Sequence, residues 1–198
     1  MNRICLKQWA SALLVGLPLF STSGADASEK MEHTNHHKTP KTEKMSQKDN
    51  PKATKARIIL EKKDKQQLLS LFETNELLHA AFFKFNKKDI SLQSAALAKK
   101  IDDLENEQIK KLLLFSKKKL EEMKRMTELD DLNQNYHLVS MALIHLLNSY
   151  DIGKMYNAYS CPMVKKKWVQ NSTKPKKVEN PYASNMPHCG TKDTKFDI

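Results

Sequence analysis

The stretch TELDDLNQNYHLVSMALIHLLNSYDIG, residues 127–153, decides the fold. Leu129, Leu132, Tyr136, Val139, Leu143, Leu146 and Tyr150 recur through it every three or four residues. That period lays one apolar stripe along a helix, and such a stripe has to be buried against other helices. Thr127-Glu-Leu-Asp130 resembles a capping box in front of the helix, and Gly153 is placed to end it in a left-handed cap. His137, Met141 and His145 follow at four-residue intervals along one flank. They either finish the edge of the stripe or present two imidazoles and a thioether together.

Three earlier segments show the same period. Ile109, Leu113, Ser116, Leu120 and Met123 share a face, with Leu112, Phe115 and Met126 alongside and Lys117, Lys118 and Lys119 on the solvated side. Before them, Ile90, Ser94, Leu97, Ile101 and Leu104 keep heptad spacing, Ala95, Ala96 and Ala98 let a neighbour approach closely, and Asp89 can cap the start. Earlier still, Leu71, Asn75, Leu78, Phe82 and Phe85 line up, widened by Leu68 and Phe72, and His79 beside them reads as a hydrogen-bonded core or boundary histidine. Four such segments over residues 57–154, joined by short polar turns, predict an all-α, antiparallel four-helix up-down bundle.

Composition agrees, with 29% charged residues and four glycines in 198 residues. The formal charge of +11 raises the question of an anionic partner. Lysine supplies nearly all of it, spread along every segment, and nowhere do arginines and aromatics interleave as a base-stacking platform needs. Nucleic acid is therefore not the expected partner. No Ser-His-Asp order, glycine-rich phosphate loop or paired carboxylates mark a reaction centre, so no enzymatic activity is expected.

Residues 1–27 read as a secretory signal peptide: Arg3 and Lys7, an apolar run from Ala10 to Phe20, then small residues up to Ala27. The run is shorter than the roughly 20 residues that span a bilayer, and no later segment is long and uncharged enough to do so. Cys5 leaves with the signal, and a periplasmic or secreted location follows. Residues 28–56 carry lysines, threonines and two prolines but almost no apolar side chains, which reads as a disordered tail. Within it, His33, His36 and His37 form a small tract of the kind that captures metal loosely.

The remaining chemistry lies in residues 155–190, expected as an irregular Cys/Met loop packed on the bundle through Trp168 and Tyr182, before a C-terminal tail at 191–198. It holds Cys161, Met163, Met186, His188 and Cys189, braced by Pro162 and Pro187. Two thiolates, two thioethers and an imidazole are the donors that monovalent copper or silver prefers, whereas zinc favours more thiolate or imidazole. The same two cysteines can instead pair with each other, as an even count in an exported chain favours. Closing a loop of about 29 residues would contribute roughly 3.5 kcal/mol.

In order along the chain, Cys161-Pro-Met163, Trp168-Val-Gln170, Asn180-Pro-Tyr182, Met186 and Cys189-Gly190 resemble the closing signature of a family of exported bacterial helical domains. Those domains also occur at the C-terminus of some Cus-type periplasmic adaptor subunits of heavy-metal efflux pumps. The likeness runs from about Lys65 to Gly190. Two places depart from it: Lys165, Lys166 and Lys167 stand where the family has glycine and alanine, and Ala183 and Ser184 follow Asn-Pro-Tyr where it has glycine. The resemblance implies an exported bundle associated with heavy-metal handling, with copper(I) as the suspected ion and an envelope efflux component as the possible partner. The alternative is a non-enzymatic interaction domain of the cell envelope whose loop is fixed by a Cys161–Cys189 disulfide. N-terminal sequencing of the exported protein checks the leader: the expected first residue is Ser28, and a mature chain that still begins at Met1 removes the export assignment.

Overall fold

The computed structural model describes residues 56–174, 177–194 and 196. The expected leader, and the tail with His33, His36 and His37, lie outside them. Four helices come first: α1 Lys62–Phe83, α2 Lys87–Asp102, α3 Glu107–Met123 and α4 Leu129–Ser149. Three short strands follow, β1 Tyr156–Cys161, β2 Lys166–Asn171 and β3 Thr191–Lys192. The protein is mostly helical, yet the expectation of a purely all-α fold needs correction. The region read as an irregular loop is a β-hairpin carrying a third strand.

The apolar stripes lie where the heptads place them. Leu68, Leu71, Phe72, Leu78 and Phe82 of α1 are buried, as are Ile90, Leu97 and Ile101 of α2, Ile109, Leu113, Leu120 and Met123 of α3, and Leu132, Tyr136, Val139, Leu143 and Leu146 of α4. Each helix packs on the next along the chain. Tyr136 stacks flat on Phe82, with ring centroids 4.4 Å apart, and so joins α4 to α1. Burial of each such side chain contributes roughly 1.5–3 kcal/mol. Leu112 and Phe115, expected beside the α3 stripe, stand exposed instead. Among the described residues no helix is long and apolar enough to cross a membrane.

The helix ends differ from the sequence reading in instructive ways. Asn86, not Asp89, caps α2: its side chain accepts the Asp89 N–H at 3.2 Å. Asn106 caps α3 through the Ile109 N–H at 3.1 Å. Thr127 does not form the expected capping box, because its hydroxyl turns to the Glu128 carboxylate and α4 starts without a side-chain cap. Gly153 takes a positive φ of 97°, but in a turn beyond the helix, where its N–H bonds the Asp151 side chain. α4 has already ended at Ser149, since Tyr150 joins Ile58 in a parallel bridge through Ile58 N–H to Ser149 O and Asp151 N–H to Ile58 O, both 2.8 Å.

The sheet is antiparallel, in the order β2-β1-β3. It packs on α4 mainly and reaches α1 through β2. β1 is buried on both faces over Tyr156, Asn157, Ala158 and Tyr159, so it shows no simple in-out alternation. The segment expected as a C-terminal tail contributes β3, and Asp193 N–H extends the pairing to Ala158 O at 2.8 Å.

His79 ties α1 to the segment that leads into the second cysteine. It is buried, and its Nε2–H donates to the Glu179 carbonyl at 2.9 Å. Burial pushes its pKa from 6.5 down to about 4, against the Glu179 hydrogen bond and the nearby Glu76 charge. A histidine whose folded pKa is depressed binds its proton first in the unfolded chain, so the stability it confers is lost as pH falls from 6.5 toward 4. Between pH 6.5 and 5, where carboxylates titrate little, this group should cost roughly 1.5 kcal/mol of unfolding free energy. Denaturant titrations should show that fall in the wild type and a much flatter profile in His79→Gln; equal slopes would remove His79 as its source.

Candidate metal and thiol centre

β1 carries Cys161 to the end of the ladder, opposite Lys166. Pro162 has no N–H with which to continue the strand. Lys165 completes the reversal at a left-handed φ of 52°, a conformation that glycine adopts without strain. The turn leaves Met163 67% exposed.

The second cysteine arrives along a return arm that Asn180 holds closed. This residue is fully buried. Its backbone N–H donates to Pro187 O at 2.7 Å, its side-chain amide donates to Cys189 O at 2.9 Å, and its side-chain oxygen accepts the Tyr182 N–H at 2.9 Å. Two successive turns, Met186 N–H to Ala183 O and Cys189 N–H to Met186 O, complete the delivery. The Cys161 and Cys189 sulfurs thereby come to 2.6 Å from each other.

Trp168 forms the floor under this meeting point. The indole is fully buried, lies roughly parallel to Tyr159 with centroids 6.0 Å apart, meets Tyr182 edge-on, and donates Nε1–H to Gln170 at 3.2 Å. Gly190 lies directly against it: a Cβ at that position would stand 2.6 Å from the Trp168 ring and 3.1 Å from Ser160 O, at a φ of 152°. Glycine is thus required both sterically and by backbone conformation.

The other predicted ligands are placed less tightly. Met186 is half-buried in the turn before Cys189. His188 is exposed, and its Nδ1–H donates to Val178 O at 2.7 Å near the Phe83 ring, which leaves Nε2 as its one available nitrogen. The α4 flank is not brought into the centre. His137 accepts the Lys167 N–H at Nδ1, 3.2 Å away, and so braces β2, while Met141 and His145 face outward. Eight residues of helix separate the two imidazoles by about 12 Å along the axis, too far for one ion. Among the described residues no three His, Cys, Asp or Glu side chains converge as a ready ion site, so His188 does not stand with the cysteine pair as a third such group.

The two thiols are inequivalent. Burial pushes the Cys161 thiol up, but the Cys189 thiol, the backbone N–H groups of Val164 and Met163, and the Asn180 side chain all hydrogen-bond to it and bring it below the ordinary thiol range. Cys189 is pushed up, first by its hydrogen bond to Cys161, then by burial and the Cys161 charge. The first proton therefore leaves Cys161 and the second is harder to remove. One thiolate at Cys161 is the form that takes up metal or attacks a disulfide.

A carboxylate that carries no sequence signature anchors the hairpin to α1. Glu76 accepts hydrogen bonds from Tyr156 Oη at 2.5 Å, Asn171 Nδ2 at 2.7 Å and Lys174 Nζ at 2.7 Å. Burial raises its pKa, but these three partners outweigh that and keep it below 4.5. With His79, Gln170, Asn171, Lys174 and Glu179 it lines an open cleft of about 330 Å³. Only the contact between α1 and a strand predicted as loop makes this cluster visible.

No protein-family profile, no curated protein and no solved structure matches the chain. A largely helical protein whose C-terminal hairpin and return arm hold two cysteines together is what fold and site define. Gly190→Ala should cost about 2–4 kcal/mol by driving a methyl into the buried indole. Thermal unfolding followed by far-UV and near-UV dichroism tests it: the helical signal should persist at low temperature while the aromatic signal and the transition midpoint fall, and an unchanged midpoint would mean that the contact with Trp168 is not tight.

Proposed function

We propose that this is an exported soft-metal-binding protein that sequesters or passes on a copper(I) or silver(I) ion through Cys161 and Cys189, with Met163 and Met186 as thioether donors and His188 as a further nitrogen donor. The observation that carries the reading is the convergence of the two sulfurs at the end of β1, one buried and one partly open to solvent. At 2.6 Å the sulfurs leave no room for an ion between them. With metal–sulfur bonds of about 2.3 Å, uptake requires them to part by roughly 1 to 2 Å, from tetrahedral to linear coordination, and Met163 stands on the exposed turn that follows Cys161. The four helices in this reading form an up-and-down antiparallel bundle, supported by the short connections at 84–86, 103–106 and 124–128 and by packing in chain order. It serves as the platform for the site, and the resemblance of the closing motifs to those of efflux adaptors supports an envelope efflux component as the receiving partner. No catalytic activity is assigned.

A second reading is favoured by the sulfur separation itself. A pair this close forms a disulfide with little rearrangement, and the domain then acts as an envelope interaction module with a pinned arm. Anaerobic titration of the reduced mature protein with copper(I), against a chromophoric competitor, separates the two. Binding of one ion is expected, with quenching of Trp168, the single tryptophan left once Trp9 is removed. Cys161→Ser and Cys189→Ser should weaken affinity by at least about a hundredfold, and Met163→Leu by about tenfold. Affinity unchanged in all of these and in Met186→Leu excludes the site; a quantitative disulfide in protein isolated from its own compartment, with no metal uptake after reduction, establishes the second reading.

A further inference from the structure

The two sulfurs that meet at the end of β1 differ in access. Cys161 is 1% exposed, whereas Cys189 is partly open to solvent. An external thiolate therefore reaches Cys189 and is screened from Cys161. The surroundings of Cys161 suit the opposite role. Cys161 is the last residue of β1, held in the ladder opposite Lys166, and so stays in place as the leaving group when a bond to Cys189 breaks.

We infer that Cys161 and Cys189 form a thiol–disulfide exchange centre with a fixed direction, reduced by an external dithiol that attacks Cys189 while Cys161 departs. In the first step the dithiol's thiolate forms a bond to Cys189 Sγ, the Cys161–Cys189 bond breaks, and its electron pair leaves on Cys161 Sγ. In the second step the other thiolate of the dithiol attacks its own sulfur in the mixed disulfide and releases Cys189 as a thiolate, which takes a proton. Two electrons have passed: the partner's dithiol is now a disulfide, and Cys161 and Cys189 are both reduced. The partner class is a dithiol reductase of the same compartment, because an oxidising environment closes the pair and a second thiol on the partner is needed to release Cys189 from the mixed disulfide. This inference rests on the same cysteines as the proposed metal site but not on the ion.

The test uses the full mature chain oxidised with diamide, with loss of both thiols checked by counting. Reduced glutathione, a monothiol that cannot carry out the second step on its own, is added briefly; the mixture is quenched with acid and N-ethylmaleimide and mapped by peptide mass spectrometry. Glutathione is expected on Cys189 with maleimide on Cys161, at least about tenfold over the converse, and the ratio should collapse toward unity in urea, where access no longer differs. Glutathione on Cys161, equal labelling of both cysteines in the folded protein, a ratio unchanged by urea, or failure of the oxidant to close the pair would each overturn the inference. Failure of copper(I) binding leaves this outcome standing, and equal labelling leaves the copper reading standing, so the two proposals fail separately.

Discussion

The contact between the Trp168 indole and Gly190 is the constraint on which the cysteine centre depends. Trp168 belongs to β2 and is buried between the hairpin and the helical platform, while Gly190 is the residue after Cys189. Because no side chain intervenes, the return arm lies directly on the ring and enters β3 beside Ser160. Asn180 fixes the other side of the same arm through the Cys189 carbonyl and the Tyr182 N–H. The position of Cys189 is therefore set by one dispersion contact and one fully satisfied amide. Buried, these are worth more than an exposed ion pair of the same length.

The platform beneath is held by aromatic contacts that pass from hairpin to helix. Trp168 meets Tyr182 edge-on, Tyr182 lies against Tyr136, and Tyr136 stacks on Phe82 of α1. The hydroxyls along this path are not left unpaired: Tyr182 donates to Lys167 O and meets Ser140, and Tyr136 reaches Asn75. Since a buried hydroxyl without a partner costs about 1–3 kcal/mol, these polar residues on otherwise apolar helix faces are explained by the hydroxyls they meet, Asn75 by Tyr136 of α4 and Ser140 by Tyr182 of the return arm. Asn75 and Ser140 are buried, and neither would be selected on hydrophobic grounds.

The helices were legible because their burial follows a local period. Ile90, Ser94, Leu97 and Ile101, or Leu132, Tyr136, Val139 and Leu143, can be placed on one face without knowing what covers it. The sheet was not legible, for a physical reason. Tyr156 to Tyr159 are all buried and Asn157 lies among them, so no alternation appears, and β3 is two residues long in a polar segment. A two-residue strand exists only because β1 has a free edge to pair with, which is a property of the folded chain. Caps were misplaced for a related reason: Asn86 and Asp89 are both competent, and the backbone at Phe85, left-handed at a φ of 53°, decides between them. Cys161, Cys189, Trp168 and the Asn-Pro-Tyr turn could be singled out by residue type alone, whereas Glu76 and Glu179 could not, because their partners are close to a hundred residues away.

The separation of the two cysteines along the chain shapes what the centre can signal. Two thiols in a single tight turn report only on themselves, but Cys161 and Cys189 close an arm that includes the buried Asn180, Tyr182 and the segment bonded to His79. A bond across the sulfurs removes conformational freedom from the unfolded chain over that whole arm, an effect of roughly 3.5 kcal/mol on stability for a loop of about 29 residues. In the folded protein the arm is already held by Asn180 and by the contact of Gly190 with Trp168, so such a link opposes local unfolding of residues 177–190, on which His188 is exposed and Met186 half-buried.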